Sequence, residues 1–253
     1  MHPTLPLLIA LLLATSAQAG PADEPLQQAE SLLEQGLPAE ALAPMQEAAR
    51  LAPDDVAIQR RYMDLMKAQG YGRDVVAQFQ GRLESQPKSA LAHYLYGVAT
   101  GDPSAARAEF ERALELDPKH KYARQGLGSV AVAEGRYAEA VEHYEAALAI
   151  DPTFAEVHNK VANLHAARGE PEKAKAAWKR AMEAAPGDYH AWMNMGAVLS
   201  MEGDLAGSAE LLAGAVQRAP GHARAHFNYG YVLFKLGRHD DALAHFAAAL
   251  AIN

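Results

Sequence analysis

Two residue types recur along this chain on one beat, and that beat decides what the chain can fold into. Prolines at Pro53, Pro87, Pro118, Pro152, Pro186 and Pro220 are spaced by 34 residues, except for one interval of 31 between Pro87 and Pro118. Glycines at Gly36, Gly70, Gly135, Gly169, Gly203 and Gly237 keep the same spacing of 34, with one gap of 65 that spans the same short interval. Two separate markers in one register point to a supersecondary unit copied along the chain.

Each marker has a mechanical meaning. The glycine sits where a helix must close on a left-handed residue, a conformation only glycine adopts cheaply. The proline follows a second helix and cannot continue it. Between markers, apolar residues recur at spacings of three and four, as in VEHYEAALAI and FNYGYVLFKL, which is helical periodicity. One unit therefore reads helix, tight turn, helix, turn. The residues inside the unit repeat as well. The stretch 121–154 carries Leu127, Gly128, Ala131, Ala140, Tyr144, Ala147 and Pro152. The stretch from 189 carries Trp192, Met195, Gly196, Leu199, Ser208, Leu212, Ala215 and Pro220, and the last carries Tyr229, Gly230, Leu233, Ala242, Phe246 and Ala249.

This alternation of large and small residues resembles the tetratricopeptide repeat family, over residues 22–253. The resemblance implies an all-α, right-handed α-solenoid of about seven helix-turn-helix units, at about 22–55, 56–89, 90–120, 121–154, 155–188, 189–222 and 223–253. Each pair of helices exposes an apolar face that only the next pair covers, so stability comes from stacked neighbours. Gly128, Gly196 and Gly230, with Ala140 and Ala242, would let paired helices approach closely. Tyr144, Trp178 and Phe246 would fill the space between units. Three departures carry expectations. The unit 90–120 lacks three residues, so its first helix should be about a turn short, with Asp102 capping and Pro103 starting the next helix. Pro44 falls inside the second helix of the first unit and should kink it. Met63, Val75 and Arg82 stand where small residues are usual.

The N-terminus reads differently. Leu5–Ala14 is almost wholly apolar, and Ala17, Gln18 and Ala19 have the small-x-small form of a signal-peptidase site. The leading residues carry only the amino group and His2 as positive charge. Residues 1–19 are expected to be a signal peptide, leaving a repeat domain at 20–253 with no integral membrane segment, in the periplasm or secreted. An uncleaved anchor is the alternative. The absence of cysteine suits an oxidising compartment and excludes thiolate chemistry. A net charge of −8 with no basic run argues against nucleic acid as a partner.

Eleven histidines invite a metal or catalytic reading. His93, His158 and His226 occupy the fourth position of their units, a framework slot. His222 and His226 are four apart, but His222 lies in a turn and no carboxylate completes a ligand set, so neither metal nor cofactor is expected. No nucleophile–base pair can be assembled, so the chain is not expected to be an enzyme.

The resemblance places the first helix of each unit along a concave surface. Carried over, the lining is Tyr122, Gln125 and Ser129; Glu156, Asn159 and Asn163; His190, Met193 and Asn194; Arg224, Phe227, Asn228 and Tyr231. Amides there can pair with an extended peptide backbone. Asn163, Asn194 and Arg224 also match three of five positions of a carboxylate clamp known in the family, while Asn159 and Asn228 stand where basic residues are expected. The final helix, DALAHFAAALAI, is apolar nearly all round. Either its alanines tolerate water, or Leu243, Phe246, Ala247, Leu250 and Ala251 dock on another chain, most simply as a homodimer. The expected function is a scaffold that holds a protein or peptide partner in the cell envelope. A chaperone-like binder of unfolded chains is the runner-up, and a hydrolase or metal protein built on the histidines is a third reading.

Overall fold

The computed structural model describes residues 20–252, so the expected signal peptide lies outside the described residues. Among the described residues there are fourteen α-helices and no strand. They divide into two compact units, residues 20–72 and 73–252. The first holds α1 (Asp23–Glu34), α2 (Leu42–Leu51) and α3 (Val56–Ala68). The second holds α4 (Gly72–Ser85), α5 (Ala90–Thr100), α6 (Pro103–Leu116), α7 (Lys121–Ala133), α8 (Tyr137–Ile150), α9 (Ala155–Ala167), α10 (Pro171–Ala184), α11 (Tyr189–Glu202), α12 (Leu205–Arg218), α13 (Ala223–Lys235) and α14 (His239–Ile252). No helix among the described residues is long and apolar enough to cross a membrane.

Local signals set these boundaries. Seven glycines end the first helices with φ between +69° and +90°: the six markers and Gly101. At five of them the next residue reaches back to close the turn, as in Arg136 N–H to Ala131 O at 2.7 Å and Arg238 N–H to Leu233 O at 3.0 Å. That bond satisfies a carbonyl the helix would otherwise leave open. Half of the helix starts among the described residues are held by side-chain acceptors. The Asp55 carboxylate takes the N–H groups of Ala57 and Ile58 at 2.8 and 3.0 Å. Asp102 takes that of Ala105 at 2.7 Å, with Pro103 opening α6. His120 and His222 also cap, each accepting at Nδ1 from the residue three ahead at 3.1 Å. Burial pushes both imidazoles below their ordinary pKa, which keeps that lone pair free to accept.

In the second unit each hairpin packs tightly, and its second helix leans on the next first helix: α6 on α7, α8 on α9, α10 on α11 and α12 on α13. The contact residues explain the closeness. A Cβ built on Gly128 would stand 2.5 Å from the Tyr144 ring, and one on Gly196 would stand 2.8 Å from Leu212. Behind these contacts, Tyr144 is boxed in by Ala131, Ala140, Ala147, Val157 and Leu164. Trp178 fills the next space against Ala162, Ala174, Ala191 and Met195.

The short unit has a short helix: α5 has 11 residues where α7, α9 and α13 have 13. The expected kink at Pro44 does not occur. Pro44 is the third residue of α2, which has 10 residues against 14 in α6, α8, α10, α12 and α14. Its missing N–H falls in the first turn, where no intrahelical partner exists. The proline delays the start of the helix instead of bending it. Met63 and Val75 are fully buried, so these large side chains serve as core where small ones were usual.

Candidate functional site

The histidines at the fourth position share one geometry. His93, His158 and His226 each set Nε2 against the carbonyl of the proline six residues back, at 3.1 Å from Pro87, 2.8 Å from Pro152 and 2.9 Å from Pro220. Each N–H clips a first helix to the turn before it. The sequence signal was the constant offset of six from the proline marker.

The candidate groove residues fall into separate groups. Tyr122 is half-buried in an aromatic row, with ring centroids 5.8 Å from Tyr94 and 5.3 Å from Phe154. Gln125 is buried and donates through Nε2 to Glu156 at 2.5 Å. Met193 is core, 1% exposed. Asn159 is buried too, and its Oδ1 has no hydrogen-bond partner among the described residues. An orphaned buried acceptor of that kind costs about 1–3 kcal/mol. Asn163 Oδ1 accepts from both Trp178 Nε1 and Asn194 Nδ2, each at 3.2 Å. Of the clamp positions, Asn163 and Asn194 are therefore already engaged with each other. His190 is exposed, stacked 4.1 Å from the Tyr189 ring, with Nδ1 held by Asp188 at 2.6 Å.

The α13–α14 hairpin gathers the rest. Arg224 and Phe227 from α13, with Phe246 and Leu250 from α14, line one recess of about 480 Å3 floored by Ala223 and Ala249. The Phe227 and Phe246 rings lie 5.7 Å apart at 47°. Phe227 is 56% exposed and Leu250 78% exposed. Arg224 makes no ion pair or hydrogen bond among the described residues, although its charge is felt at Tyr189 and His222. Asn228 is half-buried on α13, and Tyr231 is exposed with Lys235 Nζ 5.9 Å over its ring. Leu243 is exposed on α14 but does not line the recess. Two of the expected groove residues, Arg224 and Phe227, and two of the expected end-contact residues, Phe246 and Leu250, thus share one recess at this hairpin. Sequence reasoning missed Phe234, 53% exposed beside His239. It also missed His245, whose Nδ1 lies 2.9 Å from that of His226. Burial and the neighbouring His226 hold the His245 pKa below its ordinary value.

Comparison with known proteins follows the same lines. Two sequence models described as tetratricopeptide repeat match the chain, one at residues 98–153 and 202–253 and the other at 131–197. Together they take in more than half of it. No curated protein matches significantly. Among solved structures, YrrB, described as a tetratricopeptide repeat protein with an unusual peptide-binding site, is similar at 25% identity and a TM-score of 0.52. The match covers 69% of this chain and 92% of YrrB. The Cut9–Hcn1 assembly of the APC/C matches at 16% identity and a TM-score of 0.68, over 94% of this chain and 48% of the matched chain, so this chain spans about half of that protein. A repeat protein from Parabacteroides merdae matches at 14% identity and 0.58, over 93% and 94% of the two chains. At these identities the last two speak for the fold alone.

Proposed function

The chain belongs to the tetratricopeptide repeat family, and on that premise we propose that it grips a protein or peptide partner at the α13–α14 recess. Members of the family act generally as protein-interaction scaffolds. The observation that carries the site is the recess itself: two facing phenylalanines, an exposed Leu250 and an unpaired guanidinium at the rim. Aromatic and arginine side chains dominate the energetics of protein contacts, and Phe227 supplies contact area without a polar group to desolvate. The partner segment would place an apolar side chain against Phe227, Phe246 and Leu250 and a carboxylate near Arg224. YrrB, similar over most of its length, has a peptide-binding site, which supports a peptide ligand here.

The same proposal puts the scaffold in the cell envelope, after loss of residues 1–19. That rests on the apolar Leu5–Ala14 run, the Ala17–Ala19 site and the absence of cysteine. Self-association through α14 is the simplest alternative use of the same surface, with Leu243 and Leu250 against a second copy.

A photocrosslinking residue placed at Phe227 in cells should capture one or two defined proteins in the envelope fraction, and the same residue at exposed Gln80 should not. Equal capture at both sites, or capture only in the cytoplasm, refutes the reading. Suppressed aggregation of unrelated unfolded proteins would point instead to a chaperone. Doubled solution mass, lost in Leu250→Glu, would point to the homodimer.

A further inference from the structure

We propose that the hydrogen bond between His226 and His245 is an acid-sensitive latch, which holds α14 on α13 at neutral pH and opens when both rings are protonated. Its bearing on partner binding rests on the recess proposed above, since Phe227 and Phe246 directly follow the two histidines in the chain and line that recess. The latch itself does not depend on the recess.

A count of protons carries it. His226 Nε2 lies 2.9 Å from Pro220 O. A carbonyl only accepts, so that nitrogen holds a proton. His226 Nδ1 lies 2.9 Å from His245 Nδ1, with the ring centroids 5.1 Å apart. In the neutral pair, then, His226 Nδ1 keeps its lone pair and His245 Nδ1 donates to it. A first added proton can settle on His245 Nε2 and leaves the bond in place. A second has only His226 Nδ1 to occupy. Two N–H groups then face each other, the bond is gone, and two positive charges stand where it was. Both steps belong to the pair and not to either ring.

The placement gives this bond weight. Among the described residues α14 packs chiefly on α13, and its only fully buried side chains are Ala242 and Ala249. His226 is 8% exposed and clipped to Pro220, so a charged ring there cannot simply turn to water. The same framework position is set for the opposite response at α5–α6. There the clipped His93 puts Nδ1 against the Glu109 carboxylate at 2.6 Å, a contact that protonation strengthens.

The surrounding charges leave the direction unchanged. On α14, Asp241 favours the charged form of His245, but Arg238 binds Asp241 at 2.7 Å and opposes it. His239 turns to Phe234. On α13, the Tyr229 ring lies 4.6 Å from that of His245 and Lys235 sits over Tyr231. The charged side chains of α12, Glu210 and Arg218, do not act on His245. Burial first, and then the charge of His226, hold the His245 pKa below the ordinary 6.5. The closed hairpin thus binds protons more weakly than the open one. The stability the pair lends is complete above about pH 6.5 and is lost as pH falls below it.

The test reads amide-exchange protection factors in the full-length protein, with no partner present, at about pH 7.5 and about pH 5. The variants are His245→Asn and His245→Phe, with circular dichroism to check that both keep the native helix content. The asparagine amide stands where the imidazole Nδ1 stood and can either donate or accept, so it bonds to His226 in both protonation states. The phenylalanine keeps a ring and removes the bond. In the parent protein, protection in α13 and α14 should fall at least about tenfold on acidification, while α5 and α6 hold theirs. His245→Asn should stay protected at both pH values, and His245→Phe should be poorly protected at both. Protection of α13 and α14 that does not fall in the parent protein, a fall matched in α5 and α6, or a fall that persists in His245→Asn overturns the proposal. So does a His245→Phe protein as well protected as the parent at neutral pH.

Discussion

Replacing Gly128 with alanine tests the packing logic of the whole array, because two large effects of opposite sign meet at one atom. An alanine in mid-helix ordinarily gains roughly 1 kcal/mol over glycine, since the unfolded chain has less freedom to lose. Here the added methyl would sit 2.5, 2.6 and 3.0 Å from three atoms of the Tyr144 ring, against a comfortable carbon–carbon separation of about 3.5–4.0 Å. The ring would have to retreat by about 1 Å. It cannot do so cheaply, being 2% exposed and enclosed by five apolar side chains. Retreat would also strain the 3.3 Å contact between its hydroxyl and Ser129. Overpacking of a closed core costs about 1–3 kcal/mol, and the rigidity of this site puts it near the upper end. The net expectation is a loss of about 2 kcal/mol, or about 4–8 °C in Tm for a chain of this size. The control is Gly81, exposed on α4 with nothing within 4 Å of its would-be methyl. Gly81→Ala should gain about 0.5–1 kcal/mol. Urea denaturation followed by circular dichroism reads both, and amide exchange in α7 and α8 reads the local effect where array unfolding is not two-state. Tyr144→Leu in the Gly128→Ala background should cost less than the sum of the single changes. A Gly128→Ala protein as stable as the parent, or stabilised like Gly81→Ala, would refute the close-approach reasoning.

Asp102→Ala removes the acceptor of the Ala105 N–H at the start of α6 and should cost about 1 kcal/mol, read as a lower urea midpoint; an unchanged midpoint would show that Pro103 alone holds that turn. The Asp151 carboxyl is held down to about 2 from 3.8, first by its 2.6 Å bond to Lys121 Nζ and then by Thr153. A depressed carboxyl lends stability that is complete above about pH 4 and drains away as pH falls toward 2. The stability gap between parent and Lys121→Met should therefore close over that window; a gap independent of pH would sink the assignment.

The architecture was legible because its signals are local. A left-handed glycine and a proline act within one turn of chain, and the structure sets them at helix ends without help from distant residues. Pro44 misled because helical periodicity reports a face and not a starting residue. The pattern allowed a long helix with a kink, and the lost hydrogen bond is avoided more cheaply by starting later. The candidate site was legible only in part. Position within a unit identified Phe227 and Arg224 as outward-facing, but gave no warning that Gln125 and Asn159 lie buried, since that depends on how the neighbouring helix covers them. The pairing of His226 with His245 was out of reach: the two are 19 residues apart, on different helices, while the visible four-residue spacing drew attention to His222, which is occupied in capping α13.

The closed turns have a kinetic consequence. In the second unit each hairpin from α5 to α14 closes on a left-handed glycine and packs chiefly on itself and on the next, so hardly any contact there waits for a remote part of the chain. Low contact order of this sort favours fast folding that can begin at many points and spread. A ribosome would release such a chain in instalments, each hairpin able to form soon after its residues emerge, with the earlier ones already in place to template it.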